Sequence, residues 1–327
     1  MPHTASKAGP GLVRARPWLL ASLCLAWLCL IALPARAAGP DLAQLLAYDA
    51  SAPLQLRVLK REHRAGVLIE DVTYDSVAGA APVTATLVRP THLNAPFAGI
   101  VWGHWFEPAA ANSNRSQFVR EAASLARLGV VSVLPDTLWA NLRWFDTRSW
   151  RNDFAHTLNQ AKDFRRALDV LLAQNGVDPH RIGFVGHDFS AMHGALIAAV
   201  ETRVKAYVLI AGTARWADWY LFGAADGVPQ GGELAAYLAQ LAQIDPVLTM
   251  VDNKAGVMFQ FGEDDFFTPR ANFTGFYAAS AIKTSRIATY ASRHPMDAPI
   301  IRVDRQVWLG EQLGLPLRHR DSEESED

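Results

Sequence analysis

From Val67 onward, short apolar runs alternate with segments whose apolar residues recur at helical spacing, and few folds accept that alternation. Val67 to Tyr74 and Pro82 to Val88 read as two early strands. Ala98 to Trp102, Val130 to Leu134, Ile182 to Val185, Val204 to Ile210, Gly256 to Phe261 and Arg286 to Tyr290 follow as strands. Phe118, Ala122, Leu125 and Leu128 fall on one helical face that stops at Gly129. Phe154, Leu158, Ala161, Leu168 and Leu171 share a second face, closed at Gly176. Ala191 to Val200 reads as a helix of small residues, and a closing helix runs from about Pro299 to Leu313. Apolar strands separated by amphipathic helices predict an α/β fold: a mostly parallel sheet with helices on both faces. The 327 residues are 50% hydrophobic and 19% charged, which suits one large core and excludes disorder or a simple coiled coil.

Thr213 to Asn253 interrupts the alternation. It carries Trp216, Trp219, Tyr220 and Phe222, then a helical pattern around Glu233 to Gln243. This is either a small lid inserted after a strand or an ordinary long connection. Asp136 to Asp153, polar and aromatic, is expected to be a long loop.

Residues 1–37 predict a secretory signal peptide. Lys7, Arg14 and Arg16 precede an apolar run from Pro17 to Pro34, and Ala35-Arg36-Ala37 is a small-x-small cleavage pattern. The rival is an uncleaved membrane anchor, since a span needs roughly 20 apolar residues. Both cysteines, Cys24 and Cys29, lie in this segment, so the mature chain has none for a disulfide or a cysteine-based zinc site. A periplasmic or secreted domain over 38–317 is expected, with no membrane partner after cleavage and a charged, disordered tail at 318–327. The formal net charge of −1 gives no support to nucleic-acid binding.

The stretch Arg181-Ile182-Gly183-Phe184-Val185-Gly186-His187-Asp188-Phe189-Ser190-Ala191-Met192-His193-Gly194 takes a strand through one tight turn into a helix of small residues. That is the setting of a G-x-nucleophile-x-G elbow, whose flanking positions must be small. Gly186 and Ser190 meet the demand around Asp188. Were Ser190 the nucleophile, Asp188 and Met192 would have to be small, and neither is.

On these residues the chain resembles the α/β-hydrolase superfamily, and its layout is similar to the dienelactone hydrolase branch. The resemblance spans roughly Val67 to Leu313 and follows the order nucleophile, acid, histidine. Gly262-Glu263-Asp264-Asp265, ahead of Phe266-Phe267-Thr268-Pro269, is similar to the turn that carries the acid, which implies Asp265 with Asp264 as its rival. Tyr290-Ala291-Ser292-Arg293-His294-Pro295-Met296 is similar to the histidine loop and implies His294. At the nucleophile the chain departs from most relatives, which have serine or cysteine. An aspartate there resembles epoxide hydrolases and haloalkane dehalogenases. A carboxylate attacking an ester would form a reactive anhydride, whereas at a saturated carbon it forms an ordinary ester. Water activated by His294, itself oriented by Asp265, then hydrolyses that ester.

The resemblance also implies oxyanion donors in the loop after the third strand, here Gly103-His104-Trp105-Phe106-Glu107-Pro108. The Phe106 and Phe189 amides are the expected donors. The Trp105 indole either faces the pocket or packs in the core. Tyr220 and Tyr237 either protonate an epoxide oxygen or pack. Arg143, Arg148 and Arg151 either receive a substrate carboxylate, or are solvated or paired with Asp146 and Asp153. His156, His180, His187 and His193 read as local structure. No metal, nucleotide or flavin motif is present, so no cofactor is expected. The expected function is an exported hydrolase of a small organic molecule, an epoxide or alkyl halide by chemistry. An ester or lactone by branch resemblance and a non-catalytic binding protein on a hydrolase scaffold are the alternatives. The oligomeric state is not legible.

Overall fold

A computed structural model describes residues 41–77, 79, 81–222, 228–280 and 285–316. The expected signal peptide, the expected charged tail and residues 223–227 lie outside the described residues. Nine strands form one sheet: β1 (Arg57–Arg64), β2 (Val67–Tyr74), β3 (Val83–Pro90), β4 (Phe97–Gly103), β5 (Val130–Pro135), β6 (Val177–His187), β7 (Ala206–Ile210), β8 (Gly256–Gly262) and β9 (Arg286–Tyr290). Their spatial order is β1-β2-β3-β5-β4-β6-β7-β8-β9. The β1–β2, β2–β3 and β3–β5 pairs are antiparallel, and every pair from β5 to β9 is parallel.

The helices are α1 (Leu42–Leu45), α2 (Val119–Ala126), α3 (Trp144–Thr147), α4 (Asp153–Leu172), α5 (Phe189–Ala198), α6 (Trp216–Tyr220), α7 (Gly231–Leu241), α8 (Pro246–Thr249), α9 (Arg270–Ala278) and α10 (Pro299–Leu313). Two buried apolar layers sandwich the sheet. One joins α4 and α5 to Phe184, Tyr207 and Phe259. The other joins α2 and α10 to Ile100, Val185, Val208 and Met258. This is the covered, mostly parallel sheet that the periodicity predicts.

The strand β1 is absent from the sequence reading. Arg57-Val58-Leu59-Lys60-Arg61-Glu62-His63-Arg64 lies almost wholly exposed at the sheet edge and has no apolar face to signal it. It pairs with β2 through the backbone ladder and an Arg61–Glu70 ion pair at 2.7 Å, and its charges suit an edge that must not recruit another strand. The expected loop from Asp136 to Asp153 folds into α3 and two short 3-10 turns, pinned by the buried Trp139 and Trp144.

The chain runs from β4 to β5 on one side, then returns to place β6 on the other side of β4. Connections therefore leave adjacent strand ends in opposite directions, opening a crevice at the carboxyl edge. Such a switch point is where open α/β sheets bind ligands.

Candidate active site

Asp188 sits between β6 and α5 with φ 55° and ψ −117°. A non-glycine residue there stores about 1–3 kcal/mol of strain, and its hydrogen bonds hold it. Its N–H donates to Ile210 O at 2.7 Å, and its carbonyl accepts from Ala191 N at 2.9 Å. Neighbouring positions must be small. A Cβ on Gly186 would stand 2.4 Å from Ser190 O, and one on Gly103 would stand 2.5 Å from the Ser190 Cβ. Ser190 is fully buried and donates its hydroxyl to His104 O at 2.6 Å, tying the elbow helix to the loop after β4. That bond turns the hydroxyl to the loop backbone, and Ser190 is not among the residues lining the pocket over Asp188.

Asp188 is only 3% exposed, and its carboxylate meets three groups. The Phe106 amide donates to Oδ2 at 3.1 Å, the Trp219 indole N–H donates to Oδ1 at 2.8 Å, and His294 Nε2 lies 3.5 Å from Oδ1. His294 Nδ1 is 2.8 Å from Asp265 Oδ2. The other Asp265 oxygen accepts from the Phe267 and Thr268 amides at 2.8 and 3.1 Å. Asp264 is exposed and points its backbone, not its carboxylate, at this loop. Two further bonds, Glu263 N to Tyr290 O at 2.8 Å and Asp264 N to Ser292 O at 3.1 Å, extend the β8–β9 pairing. They carry the acid turn and the histidine loop to one edge.

Behind the histidine loop runs a relay of neutral groups. The Trp105 backbone N–H donates to Gln117 Oε1 at 2.8 Å, and Gln117 Nε2 donates to His187 Nδ1 at 2.7 Å. His187 Nε2 then donates to the His294 carbonyl at 2.9 Å. A carbonyl only accepts, so His187 carries its proton on Nε2. Burial, then the nearby His294, holds the His187 pKa well below its ordinary value, so it stays neutral. Burial also lowers His104 to about 4 and His193 to about 3.

His294 goes the other way. Burial alone lowers its pKa, but hydrogen bonds and charge from Asp188 and Asp265 outweigh that and raise it to about 10. At neutral pH it is an imidazolium held between two carboxylates.

The candidate residues separate clearly. Asp188, Asp265, His294 and the Phe106 amide come together, and Phe189 begins α5 directly after Asp188 with its ring stacked 3.8 Å from Trp219. Trp105 does not join them at its indole. Its N–H goes to Asn112 Oδ1 at 3.3 Å, and its ring stacks on His187 and His294 instead. The expectation of a pocket-facing indole is thus corrected, because the loop after β4 turns that edge outward. The segment after β7 supplies Trp219 in its place, a contact with no periodicity or motif to announce it. Tyr220 is bonded to Thr157 at 2.7 Å and Tyr237 to Asp153 at 2.7 Å, so both pack. Arg148 pairs with Asp153, Arg151 pairs with Glu233, and neither they nor Arg143 line the pocket. Among the described residues no group of three or more His, Cys, Asp or Glu is placed to hold a metal.

Over the Asp188 carboxylate opens a pocket of about 170 Å³, walled mainly by Phe106, Phe145, Trp219, Phe222 and Phe267. That is smaller than the roughly 300–1,000 Å³ of drug-sized sites.

Sheet, elbow and acid–histidine loops together define the α/β-hydrolase fold. No protein-family model matches the chain, and no curated protein sequence matches it. Solved structures match by shape. An acetyl xylan esterase from Paenibacillus sp. R4 superposes with TM-score 0.66 at 16% identity, covering 83% of this chain and 92% of that one. Acetyl xylan esterase 1 from Thermoanaerobacterium sp. JW/SL YS485 gives 0.58 at 16%, covering 82% and 91%. A chain from Klebsiella pneumoniae subsp. pneumoniae MGH 78578, assigned as a dienelactone hydrolase, gives 0.55 at 16%, covering 76% and 99%.

Proposed function

We propose that this chain is a cofactor-free hydrolase in which Asp188 displaces a leaving group from a saturated carbon. The observation that carries this reading is a carboxylate on a strained elbow, facing an aromatic pocket, 3.5 Å from a histidine that an aspartate holds at 2.8 Å. An Asp188 oxygen bonds to the substrate carbon, and the halide or epoxide oxygen leaves with the electron pair of the broken bond. Alkylation removes the Asp188 charge, and with it part of what keeps His294 protonated. His294 then gives up its proton, to solvent for a halide or to the opened epoxide oxygen. As a neutral base it takes a proton from water, which attacks the ester carbonyl. The Phe106 and Phe189 amides receive the developing oxyanion. His294 gives that proton to the departing alkoxide, which leaves as the alcohol, and the acid left on Asp188 returns its proton to His294, restoring carboxylate and imidazolium. A halide asks least of this site, since both lid tyrosines are committed elsewhere and acid for an epoxide falls to His294 alone.

Ester or lactone hydrolysis is the second reading, favoured by the esterases among the structural neighbours. Here Asp188 and His294 would act on water directly. An open pocket at the convergent residues weighs against a non-catalytic scaffold. One turnover in ¹⁸O-water separates the mechanisms. Covalent attack gives unlabelled product and label in the peptide carrying Asp188. Label in the first-turnover product, with none in the peptide, overturns the proposal. Export of the domain after loss of residues 1–37 is part of this proposal. An intact Met1 terminus on the exported protein, read by mass spectrometry, would refute it.

A further inference from the structure

The pocket above Asp188 is walled by touching rings. Phe106 and Phe145 lie 5.7 and 5.4 Å from Trp219, and Phe222 lies 5.1 Å from Phe267. Apart from Asp188 and His294, its charged lining residues are Glu107 and Asp218, and no lysine or arginine is among the described residues that line it. Asp218 is bound by Arg215 through two bonds of 2.7 and 3.0 Å. The Glu107 carboxylate accepts only from the Ala109 amide, at 3.2 Å, and has no ion pair among the described residues. The Asp188–His294–Asp265 array carries two carboxylates to one imidazolium. The pocket therefore joins electron-rich ring faces to a net negative field.

That combination repels a carboxylate and attracts a cation, through ring quadrupoles and through charge. We propose that the pocket selects a small electrophile bearing a tertiary or quaternary ammonium group. The walls offer carbon faces rather than a fan of acceptors, so an alkylated nitrogen suits them better than a primary ammonium, which needs its hydrogen bonds satisfied. The volume matches about six water molecules at roughly 30 Å³ each, room for a trimethylammonium head and a two-carbon arm ending at Asp188. This inference rests on the reading of the pocket as the substrate site and names the substrate class.

The test needs no turnover. Choline and 3,3-dimethylbutan-1-ol have the same shape, with trimethylammonium in one and tert-butyl in the other. Titration calorimetry on the full protein should find choline binding tighter by on the order of tenfold. Glu107→Gln should weaken choline binding several-fold and leave the alcohol unchanged. Equal or tighter binding of the alcohol, or no binding of either compound into the tens of millimolar, overturns the proposal. The ¹⁸O experiment reads the covalent step with any turned-over substrate, so the two can fail separately.

Discussion

The indole N–H of Trp219 donates to Asp188 Oδ1 at 2.8 Å, joining the segment after β7 to the elbow after β6. A neutral donor on a buried carboxylate holds its orientation and remains beside the reacting oxygen when charge moves. Its ring, stacked at 3.8 Å on Phe189, fixes the donor's position. Trp219→Phe keeps the stack and removes the donor. We expect kcat for the alkylation step to fall about 10²-fold, with the circular dichroism spectrum unchanged. Wild-type kinetics would show that the contact only packs.

On the proposed mechanism, His294→Ala leaves Asp188 able to attack but removes the base for the second step. Intact-mass spectrometry after incubation with a bromoalkane should show one alkyl adduct, mapped to the peptide containing Asp188. Asp188→Ala should show none. Multiple turnovers by His294→Ala would assign the base to another group.

Asp265, not Asp264, holds His294 Nδ1. Asp265→Asn should lower kcat by roughly 10³–10⁴-fold, since the amide can favour the wrong imidazole tautomer. Asp264→Asn, on an exposed side chain, should stay within about twofold of wild type. Steady-state rates of the pair decide it, and the reverse ranking moves the acid.

The raised His294 pKa has a signature in stability. Its ordinary value is 6.5 and its folded value about 10. Its protonated form therefore stabilises the fold fully below pH 6.5, and that contribution is lost as pH rises through 10. The Tm difference between wild type and His294→Gln should shrink steadily across that window. A difference that stays constant from pH 6.5 to 10 would mean that His294 does not titrate there.

Ser190→Ala removes the hydroxyl that donates to His104 O at 2.6 Å. About 1 kcal/mol of stability should be lost, measured by urea unfolding. Activity should remain within a few-fold, where loss of a nucleophile would abolish it.

The sequence alone determined the sheet and its order of chemistry. Strands whose apolar residues face helices on both sides write their burial into consecutive positions, and β4 to β8 were legible for that reason. The elbow was legible because Gly186 and Ser190 are sterically forced by the turn around Asp188. Asp265 and His294 could be proposed because the turns after β8 and β9 resemble the acid turn and histidine loop of the α/β-hydrolase superfamily. Three things waited for the tertiary structure. The edge strand β1 is held by backbone bonds and the Arg61–Glu70 ion pair, neither of which leaves an apolar period in its exposed side chains. The resemblance favoured Asp265 with Asp264 as its rival, and only the fold showed which carboxylate the turn directs at His294. Trp219 reaches Asp188 across 31 positions from a short helix in the insertion, while Trp105, nearer the expected oxyanion loop, turns its N–H to Asn112. Which tryptophan meets the carboxylate is set by how two loops pack over one strand end, and side-chain direction at that distance leaves no periodic trace in the chain.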